Sequence, residues 1–254
     1  MLHENHLRYF FSIQPFWDMG RMENFIRSDH ISVSEFRWIH DVMSCVPGNG
    51  QLGIMLSNPE DFSGYCFGVA DCRDEIPLYG MTKGYFIRFS PGAFSAVFKI
   101  PSVEIPARGI ELSLVLPQEK LERSKCPGET LLRMFEGWGG GFCQSQKEQK
   151  LANEVVQLIW SNRGALRIKN LEQETLYSAR RLQEVVTRQV GIGPKQLCRQ
   201  TRFQNALKLI TSPKAEVYTQ AEAAQILGYS DQAHYNREFK EFSGVSPCQF
   251  QKIN

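Results

Sequence analysis

The sequence predicts an α+β chain in two parts: a β-rich amino-terminal domain over residues 1–138, a linker at 139–148, and an all-helical domain over 149–254. Three observations carry this. The 254 residues are 42% hydrophobic and 11% aromatic with a formal charge of +2, an ordinary globular composition whose length holds two domains of common size. The charge is unevenly divided, with 13 Lys+Arg against 17 Asp+Glu in residues 1–140 and 16 against 10 in residues 141–254. The apolar pattern also changes, from short runs broken by turns to a sustained 3.6-residue repeat.

In the first part, the runs Gln51–Ser57, Gly64–Ala70, Gly84–Ser90 and Ile110–Leu116 read as short strands, punctuated by Pro47-Gly48, Asn58-Pro59 and Ser90-Pro91-Gly92. Ala93–Lys99 reads as a helical turn and Glu129–Glu136 as a second helix. Trp38, Tyr65, Phe67, Tyr85, Phe86 and Phe89 could line a ligand pocket, although core packing is the commoner use of such a cluster. No stretch approaches the 18 apolar residues of a membrane span, and the start lacks a secretory pattern, so a cytoplasmic protein without membrane contact is expected. Seven cysteines, an odd number with no C-x-x-C pair, read as reduced core thiols. Gly137-Trp-Gly-Gly-Gly141 and the polar run to Gln149 set the boundary between the parts.

The second part repeats itself. Leu151, Val155, Leu158 and Ile159, then Leu197, Phe203, Ala206, Leu207 and Ile210 after Pro194, fall at helical spacing. At an offset of 53 residues, Leu182, Val186, Gly191 and Pro194 align with Tyr235, Phe239, Gly244 and Pro247. Each copy is a short helix, a turn, a second helix and Gly-x-x-Pro, which implies two related binding surfaces. The segment from Leu176 to Lys214 carries eight basic residues and one acid, Glu184, a density suited to a polyanion.

In the second copy, Ala221–Leu227 forms a helix, Gly228 allows a tight turn, and Asp231 caps the helix Gln232–Phe242. Stepping by 100° puts Tyr235, Phe239 and Phe242 inward and Ala233, Arg237 and Lys240 outward, with Asn236 beside them. Asn and Arg suit bidentate bonds to adenine and guanine edges. In the first copy Leu182, Val185 and Val186 point inward, which leaves Arg180, Glu184 and Thr187 outward and Gln183 at the flank.

The run Gly228-Tyr-Ser-Asp-Gln-Ala-His-Tyr-Asn-Arg-Glu-Phe-Lys-Glu-Phe-Ser-Gly-Val-Ser-Pro247 resembles the second helix-turn-helix signature of the AraC/XylS family of bacterial transcription regulators. Ser178–Gln183, Gly191–Leu197 and Arg202–Ile210 resemble that family's first motif and central helix. The resemblance implies a transcription regulator, an activator, that reads two successive major grooves of double-stranded DNA. Its base-reading positions fall on Arg180, Gln183 and Glu184 and on Gln232, Ala233, Asn236 and Arg237. Arg199, on the linking helix, is expected to make at most a phosphate contact.

Two departures bear on the first reader. Leu176 stands where the first turn usually has glycine, and Glu184 where a basic or neutral residue is frequent. The stretch Gly84–Phe94 resembles a segment of relatives with a β-rich, cupin-like sensory domain. A small-molecule effector and a protein partner are both open for that domain; RNA polymerase is an implied partner, and a homodimer is admitted. No P-loop, G-x-S-x-G elbow, dinucleotide fingerprint or zinc spacing is present, so neither an enzyme nor a cofactor is expected. An enzyme carrying a DNA-binding module is the out-of-class alternative.

Overall fold

A computed structural model describes residues 26–27, 31–37, 42–47, 51–58, 63–70, 73–78, 83–115, 147–211 and 218–253. The strands are β1 (Ile26–Arg27), β2 (Ile31–Arg37), β3 (Val42–Pro47), β4 (Leu52–Asn58), β5 (Ser63–Phe67), β6 (Arg73–Leu78), β7 (Lys83–Phe89) and β8 (Ile110–Glu111). Six form one antiparallel sheet in the order β1-β2-β7-β4-β5-β8, and β3 pairs with β6 in a separate ribbon. Alternation explains the large sheet: Ile31 and Val33, Leu52, Ile54 and Leu56, and Tyr85, Ile87 and Phe89 are all buried.

Three predicted strands are found: Gln51–Ser57 and Gly84–Ser90 within a residue of their expected positions, and Gly64–Ala70 ending three residues early at Phe67; β1, β2, β3 and β6 add strands that the apolar runs did not mark. Ile110–Leu116 is corrected. Only Ile110–Glu111 is extended, and Leu112–Leu114 turns into a 3-10 helix that buries Leu112. Ser90-Pro91-Gly92 turns the chain into α1 (Ala93–Phe98), as expected. Glu129–Glu136 and residues 139–146 of the expected linker lie outside the described residues.

The aromatic cluster is spread over the sheet, with Tyr65 and Phe67 in ring contact at 6.3 Å and Phe67, Tyr85 and Phe89 buried. Phe89 packs edge-on to Phe94 at 5.6 Å inside the core, Tyr65 is exposed, and Phe86 covers the backbone of Gly53. Trp38 lies outside the described residues. Cys66 and Cys198 are buried free thiols, as expected, whereas Cys248 is exposed.

The helical part comprises α2 (Lys147–Ser161), α3 (Ile168–Thr175), α4 (Ala179–Val190), α5 (Pro194–Ile210), α6 (Gln220–Ile226), α7 (Gln232–Ser243) and α8 (Pro247–Ile253). Helix α2 begins two residues inside the expected linker. None of these helices is long and apolar enough to cross a membrane. Two apolar cores result. One joins the sheet and α1 to α2, α3, α4 and the start of α5; the other contains Phe203 to Phe250. The long helix α5 belongs to both, with Leu197 in the first and Phe203, Ala206 and Leu207 in the second.

Candidate nucleic-acid interface

The second helix-turn-helix is α6, a turn and α7. Thr219 caps α6 by accepting from the backbone N–H of Glu222, whose carboxylate reaches back to the Thr219 N–H at 2.8 Å. Gly228, at φ 75°, makes the turn where a Cβ would meet Ala165. Asp231 then caps α7, its carboxylate accepting from the His234 N–H at 2.7 Å. That bond, first, and the Ser230 hydroxyl hold its pKa below the usual carboxylate value.

The predicted phase holds. Tyr235, Phe239 and Phe242 are fully buried, with Phe239 in edge-to-face contact with Phe203 at 5.2 Å and Phe250 at 5.4 Å. Gln232, Ala233, Arg237 and Lys240 are exposed. Asn236 is half-buried at the flank, and its Oδ1 is buried with no hydrogen-bond partner among the described residues.

The first unit is α3, a turn and α4. The turn residue Leu176 takes φ 61°, the left-handed conformation in which glycine is unstrained, with its side chain 89% exposed. Ser178 caps α4 by accepting from the Arg181 N–H. Leu182, Val185, Val186 and Val190 are buried, and Arg180, Gln183 and Glu184 are exposed. Thr187 is half-buried and receives a hydrogen bond from the Gln183 amide at 3.1 Å. Arg181 lies between Glu148 at 2.6 Å and Glu184 at 3.1 Å, which offsets the charge that Glu184 would present to a phosphate.

The far end of α4 is held by the amino-terminal part. The Ser102 hydroxyl donates to the Gln189 carbonyl at 2.7 Å, and Ser95 Oγ lies 3.0 Å from the same oxygen. The Gln149 amide on α2 donates to the Gly92 carbonyl at 3.0 Å. The Gln200 amide on α5 donates to the Ala70 carbonyl at 2.5 Å.

Between the units sits an ion cluster. Glu238, only 3% exposed, accepts from Arg199 Nε at 2.8 Å and from Arg202 Nη2 at 3.1 Å; Arg199 also reaches Glu241 at 2.5 Å. Arg202 further donates to the Gly164 carbonyl at 3.0 Å, tying the turn before α3 to α5. His234 Nε2 lies 3.8 Å from Glu238, and its ring meets Tyr229 edge-on. Arg199, expected to make at most a phosphate contact, has its guanidinium committed to two carboxylates and stacked over Phe242 at 5.3 Å. Sequence reasoning missed Glu238, although a signal existed. It falls three residues after buried Tyr235, on the inward face of α7, opposite two arginines spaced i, i+3 on α5.

The helix-turn-helix domain family matches residues 171–253. The Msm operon regulatory protein of Streptococcus mutans is 27% identical over 101 residues, spanning 39% of this chain and about a third, 35%, of that relative's length. Among solved structures, ToxT of Vibrio cholerae is similar at 10% identity over 89% of this chain and 98% of that one, TM-score 0.46. The carboxy-terminal domain of AraT, a response regulator of Geobacillus stearothermophilus, is similar at 22% identity over 43% of this chain and 89% of that one, TM-score 0.39. The match runs from within α3 to the end of α8, so residues 171–253 form a helix-turn-helix domain.

Proposed function

We infer that this chain is a sequence-specific transcription regulator that lays α4 and α7 into two successive major grooves of double-stranded DNA. The observation that carries the reading is the repeat itself: two capped second helices, each buried on one face and exposed and polar on the other, fixed to one linking helix. Arg180, Gln183, Glu184 and Thr187 read the first groove, and Gln232, Ala233, Asn236, Arg237 and Lys240 the second. Exposed Arg and Gln side chains on such a face suit purine edges in the major groove.

The amino-terminal domain supplies regulation, through a small effector or a protein partner. Its shared core with α4 supports that role, because a change in the sheet would bear on the first reader. Activation is the regulatory sign taken from the family resemblance. Selection of bound sequences from a random DNA pool, followed by a salt titration, tests the reading. Enrichment of a site with two half-sites about one helical turn apart supports it, with affinity falling by roughly 0.9 log units per decade of salt for each phosphate neutralised. Failure to bind any duplex at low salt rejects it.

A further inference from the structure

A groove of about 650 Å³ opens between the two helix-turn-helix units. Its walls come from the start of α3 (Arg167, Ile168), the start of α5 (Lys195, Cys198) and α7 (Arg237, Glu238). Six cationic or titratable basic side chains face it, from Arg167, Lys195, Arg199, Arg202, His234 and Arg237. Against them stand two carboxylates, Glu238 and Glu241. Both are already paired, Glu238 with Arg199 and Arg202 and Glu241 with Arg199. Arg167, Lys195 and Arg237 are exposed and form no ion pair among the described residues. The uncompensated charge of the groove is therefore positive. Covalent chemistry at its wall is not favoured, since burial pushes the Cys198 thiol up to about 11.

We propose that this groove is an oxyanion site for the sugar–phosphate backbone that runs between the two major grooves, with Arg167 and Lys195 as its phosphate ligands. The inference rests on the DNA-binding reading. Its geometric support is the placement of the groove. One rim is Arg237 on the second reading helix, and the other is the start of α3, the first helix of the first unit. In helix-turn-helix docking the first helix crosses the backbone while the second enters the groove. A duplex that meets α4 and α7 in successive major grooves has one stretch of backbone between them, and Arg167 and Lys195 stand where it passes. Neither lies on a reading helix, so their contacts position the duplex without selecting sequence.

The test uses the full chain and a double variant, Arg167→Gln/Lys195→Gln, with the single variants beside it. Both positions are exposed and outside either core, and a melting temperature equal to that of the wild type confirms folding of each variant. The expected result is a log-log salt slope smaller by roughly 1.8 in the double variant and 0.9 in each single, with the ratio of specific to random binding unchanged. Phosphate-ethylation interference should also lose its signal between the half-sites and keep it elsewhere. A wild-type slope in the double variant overturns the proposal and leaves the DNA-binding reading intact, whereas a wild type without DNA affinity removes both. Inorganic phosphate at fixed ionic strength, without DNA, separates the two sources of the oxyanion. An unchanged melting temperature fits a backbone site. A rise that the double variant abolishes makes the groove a free-anion pocket and overturns the backbone assignment.

Discussion

The two helix-turn-helix units share a plan and differ in what lies beneath them. In each, the second helix ends on a left-handed glycine, Gly191 at φ 100° or Gly244 at φ 84°, and the next helix opens on proline. Under α7 the core is aromatic and drawn from residues 203–250. Under α4 it is aliphatic and continuous with the amino-terminal sheet, from Leu182 and Val186 to Val69 and Ile105. The difference teaches that α1 and the 3-10 turn at Ser102–Glu104, which follow the sheet, grip one reader through packing and through the hydrogen bonds to Gln189. The second reader is held to the linking helix by the Glu238 cluster. The second reader also touches the amino-terminal part at β6, but the buried hydrogen bonds and shared core are at α4, so an event in the amino-terminal domain should be felt most strongly there.

Core truncations have the largest expected effect and test this separation. Phe239→Ala should cost about 3–5 kcal/mol and Leu182→Ala about 2–5 kcal/mol. Hydrogen exchange distinguishes their reach: Phe239→Ala should expose amides of α6 to α8 while α2 to α4 stay protected, and Leu182→Ala should release α4 together with α1 and α2. Equal loss of protection everywhere in both variants would show one cooperative unit and abolish the contrast. Next is the ionic link. Glu238→Gln keeps the shape and leaves two arginines without their buried carboxylate, so a loss of about 1–3 kcal/mol is expected by thermal melting. Arg199→Ala should act in the same direction by loosening α7, and a protein with unchanged melting temperature would return Arg199 to a solvent or phosphate role.

Leu176 offers a smaller effect of opposite sign. A non-glycine residue held at positive φ with an exposed side chain stores about 1 kcal/mol of strain, so Leu176→Gly should raise the melting temperature. The second unit, whose turn already has Gly228, gains nothing of the kind. The smallest effect is at the Asp231 cap. Its folded-state pKa is lowered, so its contribution to α7 is complete above the ordinary carboxylate range and fades as pH falls through the lowered folded value. Asp231→Ala should flatten that part of the acid limb of a pH–stability curve. An unchanged limb would show that the cap bond does not hold in solution.

The helical part was legible in detail because its signals are local. Period, caps and glycine stops fixed the phase of α7 well enough to place Tyr235, Phe239 and Phe242 inward and Arg237 outward. The strands were harder. Ser44–Val46 and Arg73–Leu78 lack a continuous apolar run, and their pairing joins residues about thirty positions apart. Ile110–Leu116 misled because an apolar run marks burial, and a 3-10 turn buries Leu112 as well as a strand would. The ion cluster was legible only in part for a related reason: the inward phase of Glu238 and the charge of Arg199 are visible in sequence, but their pairing joins residues 39 positions apart on two helices.

Whether α7 reads bases is settled most directly by Arg237→Ala in a competition assay on the selected operator and on random DNA. Arg237 is exposed on the outward face of α7, and its guanidinium fork can bond guanine O6 and N7 together. A loss of about 1–3 kcal/mol on the operator, with far less on random DNA, is expected if the second helix-turn-helix enters the groove as placed here. Equal losses on both would make Arg237 a simple charge and contradict the docking of α7.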